Sequence, residues 1–237
     1  MVIILSVIKK IGIGREFAYA ILKGGVQLFV IALFLTFLFD YDHWYLLIWV
    51  LLISMVLIGG YTSARRASDM PEAYKVTTPA ILWGSTLVLV VLAITRAMPM
   101  QPQFIVPLAG MAFGNSMAIC SLTLERLMRE VRLSQLTIET ALSLGATSQQ
   151  ALEDYGRLSI RASLIPTIDR LKTLGIIFIP GAMSGLLIAG TNPILAAEYQ
   201  IIVFLMIVGG GLITSLAVYY LARKKIFNQI EQLAEWV

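Results

Sequence analysis

The residues best able to do chemistry in this sequence sit inside apolar runs. Gly114-Asn-Ser-Met-Ala-Ile-Cys120-Ser-Leu-Thr123 places an amide, hydroxyls, a thioether and a thiol where the neighbouring residues are hydrophobic. A later run carries Met183 and Ser184. Polar groups in hydrocarbon need partners or a wet cavity. Asn115, Ser116, Met117, Cys120, Met183 and Ser184 are therefore candidates to line a solute path, with hydrogen bonding between helices as the competing role. The sulfurs of Met111, Met117, Met183 and Cys120 are soft-metal ligand types, but Met is also an adaptable apolar filler. Asp40, Asp42, His43 and Glu198 offer oxygen and nitrogen donors beside apolar runs, where helix capping and interfacial anchoring compete with any ligand role. One Cys and one His in the chain exclude an internal disulfide, a Cys-based zinc motif and a multi-histidine centre within one chain. No Gly-rich loop ending in Gly-Lys-Ser/Thr is present to cradle ATP phosphates. No catalytic residue is expected, and no metal ligand set can be named.

The elements that would position these groups are membrane helices. Of 237 residues 58% are hydrophobic and only 14% charged, against about 25% charged in an ordinary soluble domain; the mean hydropathy is +0.84. Six runs are long enough, or nearly so, to cross about 30 Å of hydrocarbon: Phe17–Phe39, Trp44–Gly60, Pro79–Thr95, Phe104–Leu124, Leu174–Gly190 and Tyr199–Leu221. Pro and Gly interrupt the fourth and fifth, so kinks or breaks are expected there. Gly209-Gly-Gly211 interrupts the sixth, as a hinge or as a place where another helix presses in. Pairs four apart, Gly110/Gly114 and Gly181/Gly185, suit close helix packing. Met1–Ile8 is apolar but too short to span, and it precedes Lys9 and Lys10, the reverse of a signal peptide.

The formal charge is +4, and its distribution orients the chain. Arg65, Arg66 and Lys75, then Arg126 through Lys172, then Arg223, Lys224 and Lys225 occupy alternate loops, whereas the opposite loops hold only Arg96. Basic loops stay in the cytoplasm. Six spans then place both termini inside, in a multi-pass protein of the cell membrane, with lipid and not nucleic acid as its surroundings. The chain reads as one all-α transmembrane domain, 1–237, with a cytoplasmic segment over about 125–172.

That segment has a shape. The fourth span runs on as a helix, with Arg126/Glu130 and Glu125/Arg129 at ion-pair spacing. Gly145 reads as a helix stop. Thr147-Ser-Gln-Gln150 then reads as a capping box that starts another helix, and Pro166 marks a later break. Glu139-Thr-Ala141-Leu-Ser-Leu-Gly145-Ala146-Thr147 resembles the motif by which permeases of ATP-binding cassette (ABC) transporters dock on their ATPase, in which Glu-Ala-Ala is followed a few residues on by Gly.

Three further blocks resemble the FetB-like permeases of iron-export ABC transporters and the plant aluminium-tolerance permeases. They are Pro107 to Met117, Ile179-Pro-Gly-Ala-Met-Ser-Gly185, and Ala189-Gly-Thr-Asn-Pro193. The resemblance implies a permease subunit acting in metal efflux or metal tolerance, and because six spans are few to enclose a gated path, two copies are expected to line one as a homodimer. Its ATP and magnesium would be bound by a separate ATPase subunit and not by this chain. Glu139, Ala141, Gly145, Ala146, Thr147 and Gln150 would couple the two. The sequence departs from the family at Ala118 and Leu186, where members commonly carry Asn and Gln, and both changes remove polar groups from the expected path. The alternative is an ion-driven secondary transporter or channel without an ATPase; the sequence shows no clear internal repeat and no acid in mid-span to favour it.

Overall fold

The computed structural model describes residues 14–67, 69–97, 99–228 and 230–236, with the side chains of Arg15 and Glu16 outside that description. Met1–Ile8, Lys9 and Lys10 lie outside the described residues. Among the described residues eight α-helices follow one another: α1 (Gly14–Asp40), α2 (Trp44–Ala64), α3 (Tyr74–Ile94), α4 (Pro102–Leu133), α5 (Gln135–Ser143), α6 (Ser148–Lys172), α7 (Gly181–Ile188) and α8 (Pro193–Ile226), with a 3-10 turn over Arg65–Ala67. Five of them are long and apolar enough to cross a membrane: α1, α2, α3, α4 and α8. The protein is thus a polytopic all-helical membrane protein, as its composition requires.

The chain divides into two compact units, Met1–Val50 and Leu51–Val237. In the first, α1 exposes apolar side chains all round, including Phe29, Leu22 and Leu33. That suits a helix whose solvent is lipid. Tyr41, His43 and Tyr45 gather at the α1–α2 turn with ring centroids about 6 Å apart, an arrangement suited to an interfacial belt.

In the second unit α3, α4 and α8 pack on one another, and α6 lies against both α4 and α8. Small residues permit the approach. A Cβ placed on Gly84 would fall 1.9 Å from Thr214 Oγ1, and one on Gly211 would fall 2.3 Å from Ile119 Cδ1. The helix α8 is continuous through Gly209–Gly211. That triplet is therefore a packing surface pressed from two sides, by α3 and by α4, and not a kink. Nearer the start of α3, Gly60 meets Thr78, and Thr77 Oγ1 donates to Gly60 O at 2.7 Å. Hydroxyls stitch the bundle: Ser85 to Ala112 O, Ser63 to Met117 O, and Ser121 to Ser63. Such bonds between membrane helices contribute roughly 0.6–2 kcal/mol each.

Two expectations change. The run Leu174–Gly190 is not a single helix. After α6 the carbonyl of Thr173 takes the N–H groups of Ile176, Ile177 and Phe178, Gly175 adopts φ +76°, and Pro180 opens the eight-residue α7. Eight residues rise only about 12 Å, too little to cross. Hydropathy alone does not register the turn. Secondly, Pro166 does not end a helix; α6 continues through it to Lys172.

The helix α6 also travels farther than a surface loop would. Gln149 meets Arg223, Gly156 meets Tyr219, and Leu164 meets Gly211. It therefore runs antiparallel along α8, back from the basic end. Together α6, the Thr173–Pro180 turn and α7 return the chain to the start of α8. The stretch expected as one span at Leu174–Gly190 is therefore a turn and a short helix that follow α6. The α7–α8 connection is built by Ala189-Gly-Thr-Asn-Pro193. Gly190 at φ +85° donates to Leu187 O and Thr191 to Leu186 O, which is a Schellman stop. Asn192 Oδ1 then accepts from Ile194 N at 2.9 Å as the cap of α8.

Candidate functional site

The elbow at the basic end forms from local chemistry. The helix α4 runs on to Leu133, breaks at Ser134 and gives way to α5, whose Ile138 is fully buried. The expected Arg126–Glu130 ion pair is present at 3.6 Å. Gly145 has φ +93°, its N–H donates to Leu142 O, and Ala146 N donates to Ala141 O, both at 3.0 Å. These are the two bonds of a Schellman motif, which demands a left-handed residue where Gly stands. Thr147 then caps α6: Gln150 N donates to Thr147 Oγ1 at 3.3 Å, and Thr147 N donates to Gln150 Oε1 at 2.9 Å. The reciprocal capping box expected from sequence is in place. The tail after α8 supports it, because Ser148 N donates to Glu231 Oε2 at 3.1 Å. Glu139 and Thr140 stay exposed, and Leu133, Leu136 and Leu144 project at 74–84% exposure.

The same end is held by charge. Glu72, between α2 and α3, accepts from Lys225 at 2.5 Å and from Lys75. These two ammonium donors, Lys225 foremost, hold the Glu72 carboxyl down at about 2. Arg132 pairs with Asp69 at 2.7 Å.

Within the bundle the four candidates on α4 point to different neighbours. Asn115 Nδ2 donates to Ile207 O on α8 at 3.1 Å. Ser116 is buried near Gly210, and its hydroxyl has no hydrogen-bond partner among the described residues. Met117 packs toward Gly59 on α2. Cys120 is fully buried, its sulfur 4.0 Å from Thr77 O on α3. Met183 and Ser184 lie on α7, where Met183 N donates to Gln200 Oε1 at 3.2 Å and Ser184 N to Pro180 O at 2.9 Å. No group of three or more His, Cys, Asp or Glu side chains that could hold a metal ion occurs among the described residues.

One cavity does gather polar groups at this depth. It has a volume of about 360 Å³. From α4 it takes Gly110, Met111, Gly114, Asn115 and Ala118; from α6, Thr167 and Arg170; from α8, Phe204 and Ile207. Gly110 and Gly114, spaced for helix packing, here leave space instead: a Cβ on Gly114 would meet nothing within 4 Å. Sequence reasoning found Asn115 but counted Arg170 among loop residues. The signal for α6 was a stripe of small residues, Gly156, Ser159, Ser163 and Thr167, all buried. That is the pattern of a helix packed closely inside a membrane bundle.

Fold and site together define a polytopic helical membrane protein with an open groove between α4, α6 and α8 and a capped elbow at its basic end. The sequence matches the family described as Uncharacterised protein family (UPF0014) over residues 1–227, and the chain belongs to that family. It is 35% identical to the UPF0014 membrane protein STAR2 of Oryza sativa subsp. japonica, over 100% of this chain and 83% of the relative. It is 32% identical to the protein Aluminum Sensitive 3 of Arabidopsis thaliana, over 98% of this chain and 85% of the relative. To the "Probable iron export permease protein FetB" of Escherichia coli (strain K12) it is 31% identical, over 98% of this chain and 89% of the relative. No solved structure matches the sequence.

Proposed function

We propose that this chain is the membrane-spanning permease subunit of an ABC transporter that exports a metal ion, iron-like in character, with ATP and magnesium bound by a separate ATPase subunit. The observation that carries the reading is the elbow: a Gly145 stop and a Thr147–Gln150 start, rigid in backbone and bearing exposed Leu133, Leu136 and Leu144 at the basic end. An external motor needs a stiff element to push. Apolar side chains projecting from a charged, wet end suit insertion into a partner's groove. The name of the Escherichia coli relative supports the metal-export part.

Two copies would form the path. The outward side of α6 carries Arg161 and Asp169, both exposed, alongside membrane-depth helices. Such charges do not face lipid tails. A second copy covering them gives a closed two-fold arrangement. The basic ends, and with them both termini, lie in the cytoplasm of a cell-membrane protein.

The test is flux in proteoliposomes. Metal movement that requires ATP and an added ATPase subunit supports the proposal. Gradient-driven flux without any ATPase would favour a secondary transporter and overturn it.

A further inference from the structure

We propose that Arg170, with Asn115 and Thr167, forms a binding site for an oxyanion, a carboxylate or phosphate group, so that the cargo of this permease passes as an anion and not as a bare cation. The inference rests on the permease reading and deepens it to a substrate class.

Depth comes first. Arg170 is exposed along an open groove that it shares with Gly114 and Asn115, in the middle of the apolar run of α4, and with Ile207 on α8. Ile207 is sixteen residues before Arg223 in one continuous helix, a rise of about 24 Å from the basic end. A guanidinium stays charged at any accessible pH, and a charge at that depth needs a counter-charge or a functional reason. Arg170 forms no ion pair among the described residues; the neighbouring Asp169 is engaged by Lys172 at 3.9 Å.

The donor set then selects the ligand. Among the described residues no Asp or Glu lines the groove, and the only sulfur is the thioether of Met111. A hard cation would find no anionic oxygen there and would meet a fixed positive charge. An oxyanion finds the fork of Arg170, which matches carboxylate or phosphate with two parallel N–H groups. Thr167 on α6 and Asn115 on α4 also line the groove, with one amide hydrogen of Asn115 held by Ile207 O. A volume of about 360 Å³ accommodates a small polycarboxylate or its metal chelate. Gly110 and Gly114 provide this space by having no side chains.

The experiment measures equilibrium binding to the purified full chain in nanodiscs, without ATPase or ATP, so that it stands apart from the flux test of the permease reading. The probes are free citrate, iron(III)–citrate, inorganic phosphate and free iron(II) under reducing conditions. Saturable binding of at least one oxyanion is expected. Arg170→Gln weakens it tenfold or more, and Arg170→Lys retains an intermediate affinity. Gly114→Leu, which fills the cavity where no atom lies within 4 Å, abolishes binding while the thermal transition is kept. Preference for iron(III)–citrate over free citrate identifies a metal chelate as the ligand; equal binding identifies the free oxyanion. Binding of iron(II) alone, oxyanion binding unchanged in Arg170→Gln, or no oxyanion binding to the wild-type chain overturns the proposal.

Discussion

Gly156 lies directly against the ring of Tyr219: a Cβ on Gly156 would fall 2.2 Å from Tyr219 Cε2 and 2.9 Å from Cζ. This contact sets the distance between α6 and α8, and so the position of everything farther along α6, Thr167 and Arg170 included. The ring is nearly buried and has little freedom to retreat. Gly156→Val should destabilise the bundle by about 1–3 kcal/mol, the usual range for overpacking. It should also lower transport more than the stability loss explains, since the cavity wall moves. Thermal unfolding in nanodiscs beside flux measurements checks both. A variant as stable and active as the wild type would mean that α6 does not dock here.

Gly145 differs in kind, because a Cβ there meets nothing within 4 Å. What a side chain disturbs is the φ of +93°, which costs an L-residue about 1–2 kcal/mol. Gly145→Val should leave the spans inserted and the cavity intact, yet unfasten the turn between α5 and α6. The expected phenotype is uncoupling: ATP hydrolysis continues in the assembled transporter while flux falls. Unchanged ATPase binding and unchanged flux would argue against the elbow as the coupling element.

Thr147→Ala removes the side-chain acceptor of Gln150 N. Loss of such a cap destabilises a helix start by about 1 kcal/mol. Amide exchange at Gln150 should therefore quicken about fivefold. Ser148 keeps its bond to Glu231, so the effect should remain within the first turn of α6. Protection unchanged at Gln150 would show that the capping box adds nothing in the membrane-embedded protein.

The parts legible in the sequence are those fixed by neighbouring residues. The capping box at Thr147–Gln150 and the stop at Gly145 each depend on a few adjacent groups, and both stand where the pattern puts them. The apolar helices are legible because lipid imposes a length and a composition. The broken passage was not, because Leu174–Gly190 is apolar whether it is one helix or a turn and a half-length helix. Only Gly175 and Pro180 mark the difference. The cavity was half legible. Asn115 stands out by type, whereas Arg170 belongs to a charged helix whose membrane depth follows from contacts with Tyr219 and Gly211, far away in sequence.

Glu72 provides a pH test at the basic end. Donors from Lys225 and Lys75 hold its carboxyl down at about 2, below the ordinary 4.5. A group whose pKa is lowered by folding stabilises the fold fully above its unfolded value, and that contribution fades as pH falls toward the folded one. The Glu72→Gln variant should therefore be less stable than the wild type from neutral pH down to about 4.5, with the difference closing toward pH 2. Because the pair is exposed, the difference should also shrink in high salt. Melting temperatures of both proteins across pH check this, and a gap that widens on acidification would contradict the sign.

The orientation is open to labelling, because the chain's one cysteine, Cys120, is buried and gives a quiet background. Leu144 at the elbow is 84% exposed, and Ile194 at the start of α8 is 69% exposed. The helix α8 runs from Pro193 to Ile226, about 50 Å of rise, and Gln149, five residues after Leu144, is bonded to Arg223 near its far end. Leu144→Cys and Ile194→Cys therefore sit on opposite sides of any bilayer that α8 crosses. An impermeant maleimide should label Ile194→Cys in intact cells and Leu144→Cys only in inverted vesicles. Labelling of Leu144→Cys from outside would place the basic end away from the cytoplasm, where no ATP-driven partner could reach the elbow.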